Sequence, residues 1–299
     1  KGNFITKVNG TEVKGMTKDA VMTQLRGEEG TSVTLTYLDS ENVAKDIQVS
    51  RRKFDASTVE FQMIPNTSYG YVKISAFSNT TPSDFDSAVR QLMSQGAKAL
   101  VFDLRENAGG VLSSAVDCID IIVPEGPVAY AQYKDGTVKE MGWSDENEID
   151  LPMVVLVNHN TASSAELFAA ELQEFGKAKI VGVDTYGKGT IQQEPYRLQD
   201  GSAVSITVAS LLTGEKNSFD KTGISPDVEI ALKSDEEKML YMLLLEADPQ
   251  VLKAVELLNS QNSGQPSDQP ATTEDQTQDA TQTETTPEDT TAEQPVQEG

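Results

Sequence analysis

The chain has 299 residues, with 47 Asp or Glu against 24 Lys or Arg and a formal net charge of -23 at neutral pH. The only basic run is Arg51-Arg52-Lys53, and phosphate binding requires a Lys/Arg patch, which argues against nucleic acid as the partner. A single cysteine excludes an intrachain disulfide, and no stretch reaches the roughly 18 apolar residues needed to span a bilayer.

The first residues, FITKV at 4–8, read as a strand leading into the turn Asn9-Gly10. Thr17 precedes a helical pattern through Ala20, Val21 and Leu25 that stops at Gly27. Val33, Leu35 and Tyr37 alternate with Thr34 and Thr36 as a half-buried strand, and a turn over 39–42 returns the chain to a second strand over 43–50. Such a unit has too few elements to bury a core alone.

From Tyr69 onward strands alternate with helices. Strands are predicted over 69–74, 99–104, 153–157 and 178–182, and helices over 82–92, 111–122 and 163–175, with a Gly109-Gly110 turn. That alternation predicts an α/β fold with a largely parallel, layered sheet. Further strands are expected over 191–196 and 203–209, and helices over 236–246 and 251–258, interrupted at Asp248-Pro249. Cys118 falls in an apolar helical pattern and reads as a buried, inert thiol. From Ser260 to Gly299 the only apolar residues are Ala271, Ala280, Ala292 and Val296, and there are nine acids and no base. A segment of that kind is predicted to be disordered, and it accounts for -9 of the net charge, leaving -14 for residues 1–259.

The chemistry concentrates in T161-A-S-S-A-E166 and G187-K-G189. Ser163 stands where an apolar strand passes into a helix, at the positive end of the helix dipole and among backbone N–H groups without helical partners. A hydroxyl there can attack a carbonyl while the N–H of Ser164 receives the charge that develops on the substrate oxygen. The N–H groups of Gly109-Gly110 can supply the second donor. Ser163-x-x-Glu166 also has the form of a capping box, which needs no chemistry at all. The chain's one histidine, His159, lies four residues before Ser163. So close a neighbour at a strand-to-helix turn seldom has the geometry of a base, and N158-H-N160 reads as a polar loop, so the expected base is Lys188, flanked by glycines, with Gln192 four residues on and expected on the same face of a strand. A lysine base must be neutral, so its pKa must fall from about 10.4 to near 7, which burial without a carboxylate partner can achieve. G182-V-D-T-Y-G187-K188 imitates a phosphate-binding loop, but Gly189 stands where Ser or Thr must bind magnesium, and nucleotide binding is rejected.

The order D103-L-R-E-N-A-G-G110, N160-T-A-S-S-A-E166, T185-Y-G-K-G-T-I-Q192 and G223-I-S-P-D227 resembles the carboxy-terminal processing (tail-specific) protease family over about residues 1–258. The Ser-to-Lys interval of 25 residues agrees with the family pattern, and residues 1–38 resemble the latter part of a PDZ domain. The resemblance implies a ClpP/crotonase-like protease core over 52–259, preceded by a partial, N-terminally truncated PDZ-like unit over 1–51 and followed by the acidic tail over 260–299. It implies a serine endopeptidase that cleaves proteins near their C-termini. Ser163 would be the nucleophile, Lys188 the base and Gln192 the assisting amide, with Gly109 and Ser164 forming the oxyanion hole. No metal or cofactor is implied. Partners would be protein or peptide substrates held by their C-terminal tails, with homo-oligomers allowed. The family setting is extracytoplasmic, in the periplasm or cell envelope, and a membrane anchor could lie only in a preceding segment. The alternative is a noncatalytic peptide-binding scaffold on the same fold. Thr161, Ser164 and Ala165 vary the usual S-A-S-A-S-E pattern, and N107-A-G-G110 replaces N-P-G-G.

Overall fold

The computed structural model describes residues 3–39, 41–53, 57–193 and 195–262. Strands β1 (Phe4–Val8) and β2 (Thr11–Glu12) meet at Asn9-Gly10, where both residues have positive φ, as a two-residue hairpin turn requires. Helix α1 (Lys18–Leu25) begins behind Thr17, whose hydroxyl accepts the Ala20 N–H. Strands β3 (Ser32–Leu38) and β4 (Ala44–Ser50) complete an antiparallel sheet in the order β2-β1-β3-β4. Arg51 closes the unit: its guanidinium donates to the last carbonyls of α1, those of Gln24 (3.1 Å) and Leu25 (2.8 Å). Among the described residues only Val8 and Val33 are buried apolar residues here, in keeping with the expectation of a unit that cannot make its own core.

The chain then builds β5 (Val59–Met63), β6 (Tyr69–Ile74), α2 (Thr81–Ser94), β7 (Ala99–Asp103), α3 (Leu112–Asp120), β8 (Gly126–Tyr133), β9 (Val138–Ser144), β10 (Met153–Val157), α4 (Ser164–Glu174) and β11 (Ala178–Gly182). There follow β12 (Thr190–Gln192), β13 (Tyr196–Arg197), β14 (Ala203–Val204), β15 (Thr207–Thr213), β16 (Val228–Glu229), α5 (Ser234–Lys238) and α6 (Pro249–Asn262). The central six-stranded sheet has the order β16-β11-β10-β7-β6-β5, parallel except for β5. Every residue of β7 and β10 is buried, which explains their unbroken apolar runs. One face of this sheet packs on α2, α3 and α4, where Phe168 of α4 meets Phe85 and Phe102 edge to face. The other face packs on α6 through Val251, Ala254 and Leu258. A second, antiparallel sheet, β12-β15-β8-β9, lies against α3 and α4.

The sequence did not foretell β5, the β8–β9 hairpin or β16. Strand β9 is exposed along nearly its whole length, so it lacks the alternation that marks a half-buried strand. The predicted helix over 236–246 is broken into α5 and two single 3₁₀ turns, Leu240–Met242 and Leu245–Ala247. Leu240 and Leu245 are both buried, and a spacing of five would put them on different faces of a continuous helix. Helix α6 runs to Asn262, so the segment expected to be disordered from Ser260 begins helical. The rest of it, 263–299, lies outside the described residues. Cys118 is fully buried, and burial pushes its thiol well above the ordinary range.

Candidate active site

The site forms where two parallel strands end. After β10 the chain is drawn onto the loop that follows β7: the Thr161 hydroxyl donates to the Leu104 carbonyl (2.9 Å), and the Ala162 N–H donates to the Asn107 carbonyl (2.9 Å). Ser163 then takes φ 59°, ψ -124°. A β-carbon is strained at positive φ, at a cost of about 1–3 kcal/mol, and such strain persists only where the surroundings impose it. The Ser163 N–H donates to Glu166 Oε2 (2.7 Å), while the Glu166 N–H goes to the Ser163 carbonyl (2.8 Å). The predicted capping box is thus present, with Glu166 reaching back to the Ser163 N–H, while no hydrogen bond of the Ser163 hydroxyl caps the helix. Ser164 supplies the competing hydroxyl, but that residue is 1% exposed, whereas Ser163 is half-buried.

The loop after β7 presses its glycines against this turn. Gly109 was the expected oxyanion donor, but its N–H is taken by the Asn107 side chain at 2.8 Å. Gly110 lines the cleft, and its N–H has no bond to another described residue. At φ 149°, a β-carbon on Gly110 would stand 2.1 Å from the Phe77 carbonyl oxygen, so no other residue fits. The Ser164 N–H likewise has no partner among the described residues. The two N–H groups that remain available beside Ser163 are thus those of Gly110 and Ser164.

Glu166 joins this turn to the Lys188 loop. It is fully buried, and its carboxylate accepts four donors: Ser163 N–H, the Thr185 hydroxyl (2.5 Å), Gly187 N–H (2.6 Å) and Lys188 N–H (2.8 Å). The sequence pattern marks Glu166 as a cap alone. Its other partners lie 19 to 22 residues away, and the signal that could have found them was the pairing of a buried-helix carboxylate with the Gly-Lys-Gly loop. Behind the loop runs the segment over 219–224. The Lys221 N–H donates to the Gly187 carbonyl (2.8 Å), the Gly189 N–H to Asp220 Oδ1 (3.2 Å) and the Ile224 N–H to the Thr185 hydroxyl (2.7 Å). A β-carbon on Gly187 would meet the backbone of that segment at 2.9 Å, which is why the lysine is flanked by glycine.

Ser163, Ser164, Lys188, Gln192 and Gly110 all line one cleft of about 250 Å³, whose apolar wall comes from Leu112, Ile191 and Leu211. Two expectations are corrected there. Lys188 is exposed rather than buried, because its loop stands ahead of β12 at the open side of the cleft. Gln192 is exposed as well, and its amide donates to the Thr207 hydroxyl (2.6 Å) rather than holding the lysine amine. His159 does not line the cleft. Its ring is 54% exposed, with Nδ1 3.3 Å from Glu237 Oε1.

A second set of residues braces the same strand ends. The Arg105 guanidinium is buried between Asp103 (2.6 and 2.9 Å) and Asp248 (2.8 Å), and Tyr71 donates to Asp103. Burial opposes both charges, but the pairing outweighs it: Asp103 is held below the usual carboxylate range and Arg105 above its own.

Residues 68–230, more than half of the chain, match the family described as Peptidase family S41. The chain belongs to that family. It is 36% identical to the carboxy-terminal processing protease CtpA of Bacillus subtilis over 80% of this chain and 51% of that one. Against the carboxyl-terminal-processing protease of Synechocystis the identity is 34%, over 85% and 60%. Among solved structures, the photosystem II D1 C-terminal processing protease aligns with TM-score 0.54 and 32% identity, covering 77% of this chain and 63% of that one. An S41 protease from Bacteroides fragilis aligns with TM-score 0.62 at 20% identity, over 87% and 73%, a likeness of fold. The chain spans about half the length of the curated relatives it matches.

Proposed function

We propose that this member of peptidase family S41 is the core of a serine endopeptidase that cuts protein chains near their C-termini, with Ser163 as nucleophile and Lys188 as base. The observation that carries this reading is the strained Ser163 turn, joined through Glu166 to the Lys188 loop across one cleft. In this scheme Ser163 Oγ bonds to the substrate carbonyl carbon and its proton passes to Lys188 Nζ. The oxyanion receives the N–H groups of Gly110 and Ser164, and Lys188 returns the proton to the leaving amine. Water then hydrolyses the acyl-enzyme by the reverse proton path. We assign the second oxyanion donor to Gly110 rather than Gly109, because the Gly109 N–H is already bonded. A lysine base acts as the neutral amine. Gln192 would assist once it leaves Thr207.

The further features of this reading rest on the resemblance: a ClpP/crotonase-like core over 52–259, a partial PDZ-like unit over 1–51 that engages substrate tails, an acidic tail from 260, an extracytoplasmic setting and, where it forms, a homo-oligomer. The test is incubation with an unstructured protein bearing an apolar C-terminus, followed by mass spectrometry of the fragments. Ser163→Ala and Lys188→Ala should each abolish cleavage without unfolding the chain, and their losses should not add. Retention of activity by Lys188→Ala together with its loss in His159→Ala would overturn the dyad. No cleavage by the unaltered chain would favour a noncatalytic scaffold.

A further inference from the structure

A second cavity, of about 120 Å³, shares no lining residue with the cleft and is walled by Pro127, Glu171, Glu174, Phe175, Gly214 and Glu215. Three of the six are acids and none is a base. Glu171 is 0% exposed; its Oε1 accepts the Gly214 N–H at 2.7 Å, and its Oε2 has no hydrogen-bond partner among the described residues. Glu174, by contrast, is well served, accepting from the Thr213 hydroxyl (2.8 Å), the Asn217 amide (2.9 Å) and the Glu215 N–H (3.3 Å). The charges that face Glu171 are Glu174 on its own helix and Glu215 on the turn after β15. The walls given by β8 and by the end of α4, Pro127 and Phe175, are uncharged, and Lys216, within the turn itself, lies over the Tyr130 ring at 4.8 Å. A buried carboxylate with a bare oxygen and two negative neighbours is strongly disfavoured as an anion, so a cation or a proton must neutralise it. Among the described residues no three His, Cys, Asp or Glu are placed to hold a metal ion. A proton remains.

We propose that Glu171 is a built-in carboxylic acid, kept protonated in the folded chain, whose ionisation releases the 213–217 turn and loosens β15 at the edge of the cleft. Strand β15 gives Leu211 to the cleft and pairs with β12, and the turn leads directly into the segment that backs the Lys188 loop. Burial, with smaller contributions from Glu174 and Glu215 and against the pull of the Gly214 N–H, pushes the carboxyl up to about 8. The folded chain therefore keeps this proton at a pH where the unfolded chain has released it. Stability from this group is complete below the ordinary carboxyl range and is lost as pH rises through about 8.

The test is thermal unfolding of the full chain from pH 6 to 9, with ¹³C NMR of labelled glutamate carboxyls, for the wild type, Glu171→Gln and Glu215→Gln. The wild-type Tm should fall by about 5 °C or more relative to Glu171→Gln across that range. A carboxyl signal absent from Glu171→Gln should titrate near 8. In Glu215→Gln, which alters only an exposed neighbour, its midpoint should move to lower pH. Parallel Tm slopes for wild type and Glu171→Gln, or a Glu171 signal titrating in the ordinary range, would overturn the proposal. So would a Tm rise on adding calcium or magnesium that disappears in Glu171→Gln, since that would make the cavity a cation site. The link to the cleft rests on the peptidase reading and fails if the cleavage pH profile is the same in wild type and Glu171→Gln. A chain with no cleavage at any pH sinks the peptidase reading alone, because Tm and NMR report the proton directly.

Discussion

A carboxamide at position 166 can accept at only one of its two ends, yet donors converge on both oxygens of Glu166. Glu166→Gln must turn an NH₂ group toward either the Ser163 and Lys188 N–H groups or the Thr185 hydroxyl and Gly187 N–H. Hydrogen bonds to a charged group are each worth about 1.5–3 kcal/mol, so a measurable loss of stability is expected in urea unfolding. Cleavage should fall further than stability, by about 100-fold, because a shift of about 1 Å between the proposed nucleophile and base costs that much. If Glu166→Gln cleaves at the wild-type rate, the carboxylate is not what sets the two loops. Gly110→Ala makes a companion case, since a methyl 2.1 Å from the Phe77 carbonyl oxygen forces that loop to move. We expect it to lose activity while Gly136→Ala, whose added carbon meets nothing within 4 Å and whose φ of 87° costs stability only locally, keeps it, as a fragment assay would read. That Ser163, Lys188 and Gln192 belong to one cleft was legible because local spacing marks a strand-to-helix turn and a glycine-flanked lysine. Their states were not. Whether a lysine is buried, or which hydroxyl a glutamine meets, depends on β15 and the 219–224 segment, which lie far along the chain.

At the scale of elements, Asp248 shows what a dipeptide can and cannot say. Asp248-Pro249 was read as an interruption between helices, and it is one. Asp248 Oδ1 accepts the Gln250 N–H (2.9 Å) and the Val251 N–H (3.3 Å), capping α6, and Pro249 opens the helix. Its second oxygen meets Arg105, which no local pattern announces. Asp248→Ala should lose the cap, worth about 1 kcal/mol, and leave Arg105 with one carboxylate fewer; breaking a buried pair costs about 3–5 kcal/mol. Asp248→Asn keeps the cap and should fall between. If urea unfolding gives Asp248→Ala a loss of about 1 kcal/mol or less, the cap explains everything and the buried pair contributes nothing. The same network fixes a pH dependence opposite to that of Glu171. Asp103 is held below the usual range, so its stabilisation is present above about pH 4, the unfolded value, and is lost as pH falls through the folded one. Parallel strands β7 and β10 were readable because burial on both faces leaves only apolar residues. Strand β9 was not, because sheet pairing to β8 imposes little on side chains that face solvent.

For the whole molecule, burial is divided unevenly, and this fixes where the chain opens first. Both hydrophobic clusters lie between Val59 and Leu258, and no residue before Val59 belongs to either. The sheet β2-β1-β3-β4 has α1 beside it, but α1 buries none of its residues and β4 is exposed throughout. A groove lined by Leu25, Val33, Leu35 and Val49 stays open beside Arg26 and Arg52. At about 25 cal/mol per Å² of apolar surface removed from water, a unit with two buried apolar side chains cannot offset the ordering of some fifty residues. Its backbone hydrogen bonds should therefore open with a smaller free energy than those of the central sheet. In native-state hydrogen exchange, amides of β3 and β4 should be protected by several kcal/mol less than those of β7 and β10, which mark the global limit. Deleting 263–299 should leave this order and the Tm unchanged, since the segment is nearly devoid of apolar side chains and its removal takes nine acids from an already acidic chain. Equal protection in β3 and β10 would mean that the first fifty residues fold as one cooperative unit with the rest, through contacts that side-chain burial does not capture.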